Sequence, residues 1–144
     1  MIIANVAGDP KIGPWIIPQR AQNMITGFYA KQNGLNIGTN IPEPLFSTSL
    51  ITTCLTRKKT GFDCLILCSI HQLPRQGSGL NAFLDVMGDV VLHFALEGIS
   101  GCGRDFVIQM AEEAEVFNAT DALDVTKYSS YRQLFDDTLG KDHI

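Results

Sequence analysis

The segment of residues 62–70 constrains the fold more than any other part of the chain. It reads FDCLILCSI and is apolar along almost its whole length. A strand with one solvated face alternates apolar and polar residues, whereas a near-continuous apolar run is typical of a parallel strand that is buried on both faces. A second run of this kind, VVLHFAL, occupies residues 90–96. The sequence therefore predicts a parallel sheet that is covered on both sides.

Helical patterns alternate with these strands. Residues 1–7 and 35–38 are predicted as two further strands, and helices are predicted from Pro18 to the Asn-Gly pair at 33–34 and over residues 46–57, 77–89 and 104–117. This alternation favours an α/β three-layer sandwich with a mostly parallel sheet of four to five strands, as in flavodoxin-like folds. Residues 1–117 are predicted to form this domain. Residues 118–144 would be an extension with a short helix at 128–139, packed on the domain or on a partner subunit.

Two local expectations concern the first 40 residues. Residues 8–18 contain three prolines and two glycines, a composition that predicts a long loop without regular structure. In the helix that follows, the i, i+3, i+4, i+7 spacing predicts a buried stripe, made of Ala21, Met24, Ile25 and Phe28. A third expectation is an irregular, small-residue loop over residues 97–103, EGISGCG.

Composition and charge narrow the classes of function. The 144 residues are 45% hydrophobic and 18% charged, which suits one folded domain. A net charge of −4 argues against binding a phosphate backbone, so no nucleic-acid partner is predicted. The longest apolar run is too short for a membrane span and no leader is visible, which predicts a cytoplasmic protein without membrane contact. The four cysteines show no metal-ligand spacing, and phosphate-binding and dinucleotide motifs are missing. We therefore predict neither a metal nor a cofactor.

The candidate site follows from the rule that ligands bind beyond the carboxyl ends of parallel strands. Polar residues come after three of the predicted strands: Trp15, Gln19 and Arg20, then His71, Gln72 and Arg75, then Glu97, Ser100 and Arg104. His71 and Glu97 are the candidate acid and base, because imidazole titrates near neutral pH. The arginines are candidates for holding an anionic group, and the other residues for orienting a ligand.

Structural roles remain open for the same residues. The corner after residue 70 can be an active site, a structural corner or a subunit contact. His71 can be a loop histidine bonded to the backbone, and Glu97 can cap the glycine-rich turn that follows it. His93 lies within a predicted strand and is interpreted as a sheet histidine, while Cys102 stands near a helix start that favours a thiolate.

Several of these segments resemble the sporadic carbohydrate cluster protein family, whose genes lie among surface-polysaccharide genes. The resemblance is carried by Pro18, Gln19, Gln22 and Tyr29, by Ser69 with residues 72–74, and by LHFALEG at residues 92–98. It implies a small enzyme of bacterial surface-carbohydrate biosynthesis that acts on a sugar or sugar nucleotide. A carbohydrate ligand is expected on this ground.

The same segments also resemble, more distantly, the catalytic domain of serine recombinases. Those enzymes carry a nucleophilic serine after the first strand and arginines after the third. Arg75 matches the last arginine, but His71 and Gln72 stand where an aspartate and an arginine would be, and no serine occurs between Met1 and Gln32. The resemblance implies a resolvase-like fold and a homo-oligomer. The alternative function is therefore a non-catalytic oligomeric accessory module with a degenerate recombinase-like fold. An enzyme requires His71, Arg75 and Glu97 to meet in one open pocket.

Overall fold

A computed structural model describes residues 2–42, 61–75 and 77–122, with side chains up to Phe117. Its strands are β1 (Ile3–Ala7), β2 (Lys11–Ile12), β3 (Trp15–Ile16), β4 (Ile37–Pro42), β5 (Cys64–Leu67), β6 (Val91–Phe94) and β7 (Ile99–Gly101). Five of them form one sheet in the order β4-β1-β5-β6-β7, and β2 and β3 form a separate hairpin. β4, β1, β5 and β6 run parallel, and β7 is antiparallel to β6. The predicted fold class is confirmed.

Three helices are described: α1 (Gln19–Gln32), α2 (Ser78–Met87) and α3 (Arg104–Ala122), together with a 3-10 turn at Ile70–Gln72. α3 continues past residue 117, where the sequence predicts its end. The helices predicted at residues 46–57 and 128–139 lie outside the described residues. None of the helices in the described part is long and apolar enough to cross a membrane.

The core lies on both faces of the sheet. On one face, side chains from β1, β5 and β6 pack with α2 and α3, and this cluster includes Leu65, Phe83, Met87, Phe94 and Val107. On the other face, a smaller cluster joins the sheet to α1 through Ile3, Ala30, Cys64 and Ile66. Each large side chain that is buried in this way contributes roughly 1.5–3 kcal/mol. The two-sided burial explains the continuous apolar strands.

The predicted buried stripe of α1 is wrong in its phase. The buried residues of this helix are Gln22, Thr26 and Ala30, whereas Met24 is 69% exposed and Phe28 is 64% exposed. The helical period is correct, but polar side chains face inward because they bond backbone groups. The Thr26 hydroxyl, for example, donates to the carbonyl oxygens of Gln22 and Asn23. Met24 and Phe28 are therefore on the surface, while Ala21 and Ile25 are half-buried.

Two segments that were predicted to be irregular contain strands. β2 and β3 pair as a short antiparallel hairpin inside residues 8–18. Gly13 allows the reversal because it adopts a φ of 56°, which residues with a Cβ rarely adopt. The prolines do not interrupt the pairing, because Pro10 and Pro18 lie outside the four paired residues and Pro14 lies in the turn between the two strands. The predicted loop at 97–103 likewise contains β7, in which Ser100 lies opposite His93.

Candidate functional site

A pocket of about 1060 Å³ opens where the sequence predicts a site, beyond the carboxyl ends of β5 and β6. The β2–β3 hairpin forms one side, and the end of α3 forms another. Three of the predicted site residues line it: Trp15, His71 and Glu97. α3 adds Glu113 and Phe117, which the sequence analysis did not select.

Glu97 is held by the 3-10 turn that follows β5. Its Oε2 accepts a hydrogen bond from Ser69 Oγ at 2.8 Å, and its Oε1 accepts one from the Ile70 amide at 2.8 Å. Ser69 is fully buried, and its Oγ also accepts from the His71 amide at 3.2 Å. Both carboxylate oxygens of Glu97 are thus bonded to the turn, and this fixes the position of the side chain.

Gln72 and Gln22 join this turn to the loop after β1. Gln72 Oε1 accepts from the amides of Cys68 at 2.7 Å and Ser69 at 3.2 Å. Its Nε2 donates to Gln22 Oε1 across 3.4 Å. Gln72 is not among the described lining residues of the pocket. In this structure its side chain orders the backbone that carries His71.

Gln22 is the residue that organises the loop after β1. Its Oε1 accepts from the Gly8 amide at 2.9 Å, and its Nε2 lies within 3.2 Å of the Gly8, Asp9 and Ile17 carbonyl oxygens. The side chain is fully buried. The sequence analysis noted Gln22 only as part of a resemblance, since nothing in its spacing indicates so many backbone partners.

His71 forms a cluster with two aromatic side chains. Its ring centroid is 5.6 Å from that of Trp15 and 5.3 Å from that of Phe117, in edge-on arrangements. Its Nδ1 is buried and has no hydrogen-bond partner in the described structure. Burial lowers the pKa of His71, and the nearby Glu97 opposes this effect. The imidazole is therefore neutral at pH 7, with an uncharged ring packed in an aromatic cluster.

The remaining predicted site residues lie elsewhere. Arg20, Arg75, Ser100 and Arg104 are exposed and are not among the described residues that line the pocket. Arg104 approaches Asp85 at 3.9 Å on the surface, and Gln19 opens α1. The structure thus brings together Trp15, His71 and Glu97, and Arg75 does not join them.

The other reactive side chains are not among the described residues that line the pocket. Tyr29 Oη lies 2.8 Å from His93 Nδ1, and burial lowers the pKa of this histidine. Burial also raises the pKa of both Cys64 and Cys68 to about 11, so these thiols are protonated at neutral pH. Cys102 is exposed. The described residues contain no group of three or more His, Cys, Asp or Glu side chains that could hold a metal ion.

Comparison with known proteins identifies the fold. No protein-family model matches the chain, and no curated protein sequence matches it. The N-terminal catalytic domain of TP901-1 integrase superimposes with a TM-score of 0.54 at 11% identity, over 84% of this chain and 96% of that one. A resolvase-family site-specific recombinase from Streptococcus pneumoniae gives a TM-score of 0.53 at 12% identity, over 100% of this chain and 99% of that one. The chain has the fold of a recombinase catalytic domain.

This result corrects the predicted partners. The two proteins that share the fold are an integrase and a site-specific recombinase, which contradicts the expectation of a carbohydrate ligand and no nucleic-acid partner. The net charge was the argument against nucleic acid, and it describes the whole chain, so it does not determine what one face or one segment binds. None of these comparisons supports the resemblance to the carbohydrate cluster family.

Proposed function

We propose that this chain is a non-catalytic accessory module that retains a recombinase-like fold and acts by associating with protein chains, including copies of itself. The observation that carries this proposal is the loop after β1. In serine recombinases the nucleophilic serine follows the first strand. Here residues 8–18 contain no serine, threonine, cysteine or tyrosine. This loop therefore has no hydroxyl or thiol that could take the place of the recombinase serine.

The contacts on the buried side of the loop at residues 8–18 have a structural role. The Gln22 side chain bonds the backbone of Gly8, Asp9 and Ile17 and holds the loop in one shape. The nearest serine on the neighbouring turn, Ser69, is fully buried and already donates to Glu97. These contacts support a role for the polar residues in shaping a surface.

Exposed apolar side chains support association as the activity. Met24 and Phe28 are one helical turn apart on the outer face of α1, and both are more than half exposed. Trp15, Ile16 and Phe117 are also exposed around the pocket. Grouped apolar side chains on a surface typically mark a contact with another protein.

Two experiments test the proposal on the full chain. Supercoiled plasmid that is incubated with the protein is expected to stay uncut, and sedimentation equilibrium is expected to give a mass above the 15.8 kDa of the monomer. Strand cleavage by the purified protein would refute the non-catalytic function. A monomer at every concentration would refute self-association.

A further inference from the structure

We propose that the pocket beyond β5 and β6 binds a basic side chain, lysine or arginine, that a protein partner presents. This inference rests on the proposed function and names the chemistry of the partner. It follows from three properties of the pocket: exposed aromatic rings, two carboxylates, and a lining in which no described residue is lysine or arginine.

The aromatic rings provide the first property. Trp15 is 41% exposed and Phe117 is 46% exposed. Their ring centroids are 6.4 Å apart with planes inclined by 35°. One ligand group can therefore contact both rings at once. A cation is attracted to the face of an aromatic ring, and tryptophan gives the strongest interaction.

The carboxylates provide the second property. Glu97 and Glu113 line the pocket from different elements, the turn after β6 and helix α3. Glu97 is fixed in place because both of its oxygens accept hydrogen bonds from the turn after β5. A fixed carboxylate loses little further freedom when a ligand binds, and this favours affinity. Two negative charges in one apolar pocket favour a positively charged occupant.

The remaining lining fits the stem of a basic side chain. Ile16, Ile17, Ile70 and Leu96 give the pocket an apolar wall. Lysine and arginine have apolar stems that pack on such surfaces while the charged end reaches polar groups. His71 adds no opposing charge at neutral pH, because burial lowers its pKa.

Other chemical classes suit the pocket less well. An anionic group would meet Glu97 and Glu113 without a described lysine or arginine in the lining to balance them. A purely apolar ligand would cover the carboxylates without replacing their contacts with water, which costs free energy. A lysine or arginine side chain can interact favourably with both the aromatic rings and the carboxylates.

The single tryptophan makes the test direct, because Trp15 is the only tryptophan in the chain and lines the pocket. The full-length protein is titrated with the peptide acetyl-Ala-Arg-Ala-amide while tryptophan fluorescence is recorded. The matched probe replaces arginine with citrulline, which has nearly the same shape and no charge. We expect a saturable change with the arginine peptide that weakens as salt is added, and a much smaller change with the citrulline peptide.

Matched variants test whether the arginine peptide binds in this pocket. Glu113→Gln should weaken the arginine peptide roughly two- to fivefold, the range that one exposed ion pair contributes. Glu112→Gln removes the neighbouring charge on α3, which is exposed and does not line the pocket, and should leave affinity unchanged. Equal losses in both variants would show a nonspecific charge effect and would overturn the proposal.

Two further outcomes would also overturn it. The first is equal affinity for the arginine and citrulline peptides. The second is no response to either peptide in protein whose circular dichroism shows a folded α/β domain. Sedimentation of the same samples distinguishes the two proposals. A self-associating protein that ignores the arginine peptide would refute only the pocket inference, whereas a monomer that binds it would refute only self-association.

Discussion

Gln22 and Gly8 exchange two hydrogen bonds between a side chain and a backbone. The Gly8 amide donates to Gln22 Oε1 at 2.9 Å, and Gln22 Nε2 donates to the Gly8 carbonyl oxygen at 3.2 Å. The Gln22 side-chain amide thereby pairs with the backbone of Gly8, the residue after β1, through two hydrogen bonds like those between neighbouring strands. This contact sets the path of the loop that carries Trp15 to the pocket.

We expect Gln22→Ala to destabilise the protein by about 3 kcal/mol, because the buried Gly8 amide and three carbonyl groups lose a partner. The measurement is the free energy of unfolding in urea. Gln32→Ala is the matched control, since Gln32 is exposed at the end of the same helix, and it should change stability by less than about 0.5 kcal/mol. Similar values for the two variants would show that the Gln22 contacts do not hold the loop.

Ser69→Ala removes a donor to Glu97 and an acceptor for the His71 amide. We expect a loss of about 1–2 kcal/mol, because the Glu97 carboxylate and the His71 amide, both only partly exposed, each lose a hydrogen-bond partner. The mobility of Glu97 should also increase, which side-chain NMR of a glutamate-labelled sample would detect. Ser100→Ala in β7 is the control, because Ser100 is exposed. If the two alanine variants are equally stable, Ser69 does not organise the turn.

Gly13→Ala should disturb the aromatic cluster. A Cβ at this position would lie 2.7–2.9 Å from three atoms of the His71 ring. Gly34→Ala is a close control, because its φ of 67° resembles the 56° of Gly13 and a Cβ there meets nothing within 4 Å. The control should lose about 1–2 kcal/mol from backbone strain alone. Gly13→Ala should lose about 1–3 kcal/mol more from overpacking and shift the Trp15 fluorescence spectrum. An unshifted spectrum and equal losses would contradict the described packing.

The lowered pKa of His71 predicts how stability depends on pH. The folded protein binds a proton at this ring less readily than the unfolded chain, whose histidine pKa is near 6.5. Stability should therefore fall as the pH drops below about 6.5 and continue to fall until the folded ring is also protonated. His71→Phe keeps an aromatic ring without the titration, so its unfolding free energy should depend less on pH in this range. Identical pH profiles for the variant and the wild type would contradict the prediction.

The sequence was sufficient to predict those strands and helices in which the pattern of apolar residues matches the pattern of buried residues. β5 is buried on both faces as its composition predicts, whereas in β6 buried residues alternate with half-buried ones. The helix predicted over residues 77–89 is present as α2, and its Leu80, Phe83 and Met87 are in the core. In α1 the predicted period is correct but the phase is wrong, because two of its three buried residues, Gln22 and Thr26, are polar. The partners of Gln22 include Gly8, 14 residues away, and Gln72, 50 residues away. Contacts between residues so far apart depend on the completed fold.

The candidate site was predictable in its position and only partly in its members. The carboxyl-end rule selected Trp15, His71 and Glu97, and all three line one pocket in the structure. It also selected Arg20 and Arg75, which follow strands in the sequence but point to the surface. The sequence analysis did not select Phe117, because this residue lies at the end of a predicted helix. The sequence pattern there does not indicate which residues the aromatic ring contacts.

Sedimentation equilibrium tests the central claim, that this recombinase-like module acts by association, most directly. The wild type is compared with Phe28→Asp, which places a charge on the exposed apolar face of α1, and with Lys31→Asp, which changes charge at an already polar, exposed position. We predict a mass above the 15.8 kDa monomer for the wild type and Lys31→Asp, and a shift toward the monomer for Phe28→Asp. A wild type that remains monomeric at every concentration would contradict the account.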